Sequence, residues 1–334
     1  MKKPAGRWTA APRCAATPIS NATTTASPLS CCSCRNIYGP GMLLRFPETL
    51  FFTRRKGGQA MQEFCAAGVC PVSALGLGAH EREWLGRLCP DAQSVLVYLF
   101  PYFAGRRPGN LSLYARGRDY HAVIRDALTP VADRLCERHP AHRFAVLADD
   151  SPLPEVRAAV LAGLGAAGQN GLLIHETYGS YVVIGTIAAS LPIAAAQQRP
   201  RACLGCGACV RACPARAIGA AGVDPARCLS ALTQRGGDVS AEEAALLRQH
   251  PLAWGCDACQ TACPMNRDVP LTETPAFREN LIDSLDADAL DGLTRRAFLE
   301  KYPGRAFTWR GPAPLRRNLA LQRGADTQQT ENPS

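Results

Sequence analysis

The chain has 334 residues, 47% of them hydrophobic, enough to bury a sizeable core and too many for a wholly disordered protein. Half of its sixteen cysteines lie between Cys203 and Cys263, and with this length and no evident signal peptide the pattern favours metal binding over a secreted disulfide scaffold. Residues 1–60 hold nine Lys/Arg against the single Glu48 and so carry nearly all of the +9 net charge, which excludes any argument from bulk charge that the folded body binds nucleic acid.

Residues 1–60 are rich in Thr, Ser, Pro and Arg and read as a disordered leader or an early start, with Met42 and Met61 as candidate true starts. Cys31, Cys32 and Cys34 lie there without a fourth ligand nearby and make a poor metal site. A globular pattern begins at Met61. SVLVYLFPY (94–102) reads as a buried strand. Asp119 to Arg138 reads as a helix, because Val123, Ile124, Leu128, Val131 and Leu135 recur at helical spacing. RFAVLAD (143–149) is a second strand, and Pro154 opens a helix through Leu164 that Gly163, Gly165 and Gly168 break. YVVIGTI (181–187) is a third strand. This alternation predicts an α/β (α+β) domain over 61–198.

The apolar stretch Tyr181–Ala196 is too short to span a bilayer, which takes about 20 residues. No membrane segment is predicted. From 199 to 270 the texture changes to Cys, Gly and short turns and predicts a second domain. A helical tail over 271–334 follows, with a helix at 292–302 and a polar, frayed end from 322.

Cys203, Cys206, Cys209 and Cys213-Pro214 have the spacing C-x2-C-x2-C-x3-C-P, the run that holds [4Fe–4S] clusters in ferredoxins. In two-cluster ferredoxins the fourth cysteine of such a run serves the other cluster. A second half, Cys256, Cys259 and Cys263-Pro264, is one thiol short, and Cys228 supplies it. The crossed pattern assigns Cys203, Cys206, Cys209 and Cys263 to one cluster and Cys213, Cys228, Cys256 and Cys259 to the other. Zinc also takes sets of four thiolates, but it does not call for the doubled Cys-Pro ending. Cys65, Cys70, Cys89 and Cys136 read as small core residues. Two clusters alone say only that the protein moves electrons; a two-cluster ferredoxin-like carrier is therefore one reading.

Four stretches in order resemble the epoxyqueuosine reductase family: LSLYARGRDYH (111–121); ADDSPLPEVRAAVLAGLGAAGQNGLLI (148–174) with YGSYVVIG (178–185); the first cysteine run; and GCDACQTACPMN (255–266). The segment RAFTWRGPAPLRRNLAL (305–321) is similar to the family's region after the clusters. The resemblance implies a cobalamin-dependent reductase whose clusters feed a corrinoid in the first domain, with a fold similar to corrinoid reductive dehalogenases. The implied reaction reduces the epoxide of epoxyqueuosine in tRNA to queuosine; a small-molecule substrate is the alternative. An electron donor such as a flavodoxin or ferredoxin and a monomeric state are expected, and the iron–sulfur clusters with no evident export signal point to the cytoplasm.

The resemblance places the family's catalytic acid at Asp149, fourteen residues before Gly163. A carboxyl group there can protonate the oxygen released from the epoxide. Asp150 reads instead as a turn residue. Tyr114, Arg116, Asp119, Tyr120 and His121 match family positions near the corrinoid and substrate; Asp119 also suits a helix N-cap. Asp119-Tyr120-His121 begins like the D-x-H-x-x-G motif of His-ligated cobalamin, but Ile124 replaces its glycine, so cobalt without a His ligand is expected. Two departures stand out. Gln169 replaces the Lys of the family's Gly-Lys-Asn, and the chain resembles a short form without the helical repeats that help hold tRNA.

Overall fold

The computed structural model describes residues 64–194 and 202–330, with the backbone of Leu44–Arg45, and side chains over 64–194 and 202–323. The leader reading and Cys31, Cys32 and Cys34 lie outside the described residues. Strand β1 (Leu44–Arg45) pairs in parallel with β8 (Ile193–Ala194). The main sheet is antiparallel throughout, in the order β2 (Ala66–Pro71), β3 (Ser94–Pro101), β7 (Val182–Ala189), β4 (Phe144–Leu147). A short hairpin joins β5 (Ala166–Ala167) and β6 (Leu173–Ile174).

Every residue of β3 is buried, because helices cover both faces of the sheet. Leu96, Tyr98 and Phe100 point to one side and pack on Val123, Ile124, Leu128, Val131 and Leu135 of helix α2 (Tyr120–Arg138). Val95, Val97 and Leu99 point to the other, against Leu85 of α1 (Ala79–Leu88) and Ala158 and Ala159 of α3 (Glu155–Leu161). A strand buried on both sides reads as a continuous apolar run. The approach is close enough to require glycine: a Cβ on Gly185 would lie 2.5 Å from the Ile124 side chain, and one on Gly68 would lie 2.6 Å from the Ala162 carbonyl. The antiparallel sheet makes this domain α+β. Helix α3 stops at Leu161, before Gly163 takes a φ of 75°.

The cysteine-rich region holds α4 (Ala208–Arg211), the hairpin of β9 (Ile218–Gly219) and β10 (Gly222–Val223), α5 (Leu229–Gln234), α6 (Ala241–Gln249) and α7 (Ala258–Thr261). Its own core is small: Ala215, Leu229, Leu232 and Leu247. The tail, α8 (Pro275–Arg278), α9 (Arg295–Lys301) and α10 (Ala313–Thr330), does not hang free. Phe298, Phe307, Leu315 and Leu319 share a core with Leu111, Ala115 and Trp254. The Asn318 amide donates to the Thr233 and Ala253 carbonyls, both at 2.8 Å.

Where the sequence reads as a frayed end from 322, the α10 backbone continues to Thr330, and residues 331–334 lie outside the described residues. Its 322–323 positions are tethered: Gln322 donates to the His250 carbonyl at 2.7 Å, and Arg323 pairs with Asp286 and Asp288. Among the described residues no helix is long and apolar enough to cross a membrane.

Candidate metal and cofactor centre

The two cysteine runs fold alike. Each passes through left-handed glycine before a one-turn helix: Gly205 and Gly207 at φ 62° and 66° before α4, and Gly255 at φ 76° before α7. Glycine tolerates this backbone, which wraps a loop tightly. The two short helices pack against each other, and the thiols fall into two sets. Cys203, Cys206, Cys209 and Cys263 line one small cavity with Leu204 and Met265. Cys213, Cys228, Cys256 and Cys259 line another, much larger one.

Electrostatics gives this grouping except at Cys209, which acts on Cys263 in its own set and on Cys259 in the other. Burial first, then its neighbours Cys203, Cys206 and Cys209, push the Cys263 thiol upward. Burial pushes Cys256 up to about 12 and Cys259 to about 11, with Cys228 adding to both. Asn170 hydrogen-bonds Cys259 and opposes the rise. Cys65, Cys70 and Cys89 are pushed to about 12, 11 and 11 by burial as well, but they sit singly in or against the sheet core and fit inert packing roles.

All eight thiols of the two sets are unpaired by disulfides. Among the described residues no three of His, Cys, Asp or Glu converge on a single ion. A mononuclear zinc site draws its sulfurs to about 2.3 Å from one point. Four thiols around a shared cavity fit a larger iron–sulfur cube instead.

The larger cavity, about 430 Å³, extends from the second thiol set to the sheet domain. Val182, Val183 and Ile184 of β7, Leu172 and Leu173, and Ile218 give it apolar walls; Tyr102, Tyr114, Tyr120 and Asp149 bring polar groups into it. Its size and apolar lining suit a cofactor.

Asp149 sits on the loop after β4 at a left-handed φ of 54°, and its backbone N–H donates to the Glu155 carboxylate at 3.3 Å. The Tyr120 hydroxyl donates to Asp149 Oδ2 at 2.5 Å. Burial and the Asp149 charge hold the Tyr120 phenol far above its ordinary range, so it stays a donor. His121 Nε2 lies 3.9 Å from the same carboxylate oxygen, while its Nδ1 is 2.7 Å from Asp119. Asp119 also caps α2 by accepting from the His121 backbone N–H at 3.1 Å. Burial alone would raise the Asp119 carboxyl, but these His121 bonds hold it below the usual carboxylate range.

The structure therefore brings Tyr114, Tyr120 and Asp149 to the cavity, with His121 and Asp119 behind Asp149. Arg116 is turned away from it. Its buried guanidinium donates to the Leu111 and Arg107 carbonyls at 2.8 and 2.7 Å and pairs with Asp283, a structural role. Asp150 pairs with Arg125 and accepts from the Ala148 N–H at 3.0 Å, as a turn residue does.

Sequence reasoning missed a buried polar seam at the centre of the molecule. Gln260 donates to the Ser180 carbonyl at 2.8 Å and to the Tyr102 hydroxyl at 3.0 Å. Asn266 donates to Ser180 Oγ at 2.8 Å and accepts from the Ser180 N–H at 2.7 Å. Asp257 was missed too; it accepts from the Ser112 hydroxyl and from the Leu113 N–H at 2.9 Å. These bonds lock the second cysteine run to the sheet domain. Gly179 lets the two meet, since a Cβ there would lie 1.9 Å from Asn266 Oδ1.

Two sets of four thiols, one of them lining a large, half-open, mainly apolar cavity, define a double-cluster iron–sulfur protein with room for part of an organic cofactor. Residues 202–266 match the family described as 4Fe-4S double cluster binding domain, and residues 82–150 match Epoxyqueuosine reductase QueG, DUF1730. The epoxyqueuosine reductase of Listeria monocytogenes serovar 1/2a is 34% identical over 255 residues, 72% of this chain and 66% of that protein. The one from Francisella cf. novicida is 30% identical over 262 residues, 71% of this chain and 70% of that protein. The chain belongs to the epoxyqueuosine reductase family. It spans just under two thirds of the Listeria relative and 62% of the one from Lactococcus garvieae.

Solved structures agree on the fold. A selenomethionine-labelled epoxyqueuosine reductase superposes with a TM-score of 0.70 at 24% identity, covering 80% of each chain. An epoxyqueuosine reductase crystallised with a tRNA-Tyr epoxyqueuosine-modified stem loop gives 0.67 at 24% identity, covering 78% of this chain and 77% of that one.

Proposed function

We propose that this protein reduces the epoxide of epoxyqueuosine in tRNA to queuosine. One observation carries the reading: a single cavity is lined both by a complete set of four thiols and by the hydrogen-bonded Tyr120–Asp149 pair. A reduction needs electrons and protons delivered to one place, and this cavity joins the residues suited to each. Cys203, Cys206, Cys209 and Cys263 hold one [4Fe–4S] cluster, and Cys213, Cys228, Cys256 and Cys259 hold the second. Cobalamin bound against this cavity, beside Tyr114, Tyr120 and the β7 wall, would supply low-potential cobalt chemistry for the reduction.

Removing the epoxide oxygen as water takes two electrons and two protons. Asp149 gives a proton to the oxygen as its bond to carbon breaks. Tyr120 orients the carboxyl by donating to Oδ2. Asp119 holds the His121 ring through Nδ1, which sets its Nε2 3.9 Å from Asp149 Oδ2, a separation one water can bridge to relay a proton. The apolar β7 residues form one wall of the cavity, while Asp149 lies at its solvent-exposed side.

A family member crystallised with a modified tRNA stem loop supports tRNA as the substrate carrier. The electrons come from a small one-electron carrier of the flavodoxin or ferredoxin class in the cytoplasm. The deciding experiment is a deletion strain without a second copy of this function. Its tRNA should accumulate epoxyqueuosine, and complementation should restore queuosine. An unchanged queuosine level overturns the proposal.

A further inference from the structure

The two thiol sets are not equally buried. Cys206 is exposed, the only one of the eight cysteines that is. Leu204, in the same ligand loop, is 63% exposed, the most of the large apolar side chains described. Both line the small cavity with Cys203, Cys209 and Cys263. The second set opens inward instead, to the cavity that Tyr102, Tyr114 and Asp149 share.

Arginines stand in the two ligand segments themselves, and the acids Asp224, Asp257 and Asp268 flank them. Residues 202–223 contain Arg211 and Arg216 and no carboxylate. Residues 258–267 also lack one and end on Arg267, with Asp268 the first acid beyond. Arg267 is exposed, and the Arg211 guanidinium reaches back over the loop to donate to the Cys206 carbonyl at 3.1 Å. A lone exposed leucine is ordinary. A leucine beside an exposed thiol of a cluster loop, with the Arg211 guanidinium lying over that loop, is an apolar centre with a basic group at its rim. Such a surface recruits an acidic partner through its rim and desolvates it at its centre.

We infer that the face formed by Leu204, Cys206 and Arg211 is the docking surface for an acidic one-electron carrier protein. This rests on the reading of the eight thiols as cluster ligands. The transfer moves one electron from the reduced carrier to the docked protein; no bond is made or broken and no proton moves. The face lies at the surface set, so the carrier never competes with substrate for the inner cavity.

The test is a calorimetric titration of the iron-loaded protein with an acidic flavodoxin. The wild-type protein should bind it, and the affinity should fall as salt rises. Leu204→Glu and Arg211→Glu should each weaken binding about tenfold or more. Arg87→Glu, on α1 where Arg87 pairs with Glu83, should leave it unchanged. Iron content and visible absorption of every variant report the clusters separately. Full iron content with no wild-type binding, or with both loop variants binding like wild type, overturns the docking face alone. Failure of the wild-type protein to take up iron overturns the cluster reading, and the docking face falls with it.

Discussion

The two thiol sets share one chemistry and differ in what surrounds them. Cys203, Cys206, Cys209 and Cys263 close around a small cavity beneath an exposed leucine. Cys213, Cys228, Cys256 and Cys259 open onto about 430 Å³ of apolar space that also holds Tyr120 and Asp149. Ligand spacing alone could not tell them apart. Their neighbours assign a direction, from the outer set toward the inner one, because only the inner set shares a cavity with groups able to handle protons.

The largest expected effect breaks that division. Cys213→Ala should remove one cluster, about half of the iron, and abolish epoxide reduction. Cys206→Ala should also lose about half of the iron, but from the outer set. Electron paramagnetic resonance of the reduced variants should show a different single cluster in each. Identical spectra would mean that the crossed division into two sets is wrong.

Next comes the proton side of the inner cavity. Asp149→Asn keeps the side chain's shape and its bond from Tyr120 but cannot deliver a proton. Turnover should fall about 10²–10⁴-fold while iron and cobalamin content hold. A variant as fast as wild type removes Asp149 from the chemistry.

The seam between the domains sharpens the comparison further, since it holds the inner set against the cavity. Asn266 is fully buried and satisfies both the N–H and the hydroxyl of Ser180. Asn266→Ala strands the Ser180 N–H, at about 1–3 kcal/mol for a group left buried without a partner, while the Ser180 hydroxyl still accepts from Gln260 at 3.1 Å. Urea unfolding should show a loss of that order. A change below about 0.5 kcal/mol, the level of ordinary surface substitutions, would mean that the seam does not hold the domains together.

How much of this was legible depended on whether the signal was local. The thiol sets could be read because their spacing is a short local code, and α2 could be read because its five apolar positions recur on one face. Strand β3 announced itself as an unbroken apolar run. Helix α1 did not, because only Leu85 of its ten residues is buried, which leaves no stripe to see. Strand β2, AAGVCP, is short and carries Gly and Pro, so it reads as a turn. The third core draws Phe298 and Phe307 from the tail onto Leu111 and Trp254, partners far away in sequence. The seam failed for the same reason: Tyr102 and Gln260 are 158 positions apart. Arg116 was expected at the cofactor because an arginine in a family motif has two plausible uses. Only the fold shows that carbonyls and Asp283 consume its donors.

Asp119 offers the smallest effect and the finest distinction, because two readings of it proved compatible. It caps α2 through the His121 backbone N–H and holds the His121 ring through Nδ1. Asp119→Ala removes both, and loss of the cap should cost about 0.5–2 kcal/mol in thermal or urea unfolding. Asp119→Asn keeps an N-cap acceptor and should cost only a few tenths of that scale. Since the folded carboxyl is held below its ordinary range, its stabilisation is present at neutral pH and is lost only as the pH falls through that range. Both variants lose the charge that keeps His121 Nε2 turned toward Asp149. If that orientation feeds the second proton, turnover should drop in Asp119→Asn although its stability barely changes. If stability and turnover fall together across the two variants, the carboxylate is a helix cap and nothing more.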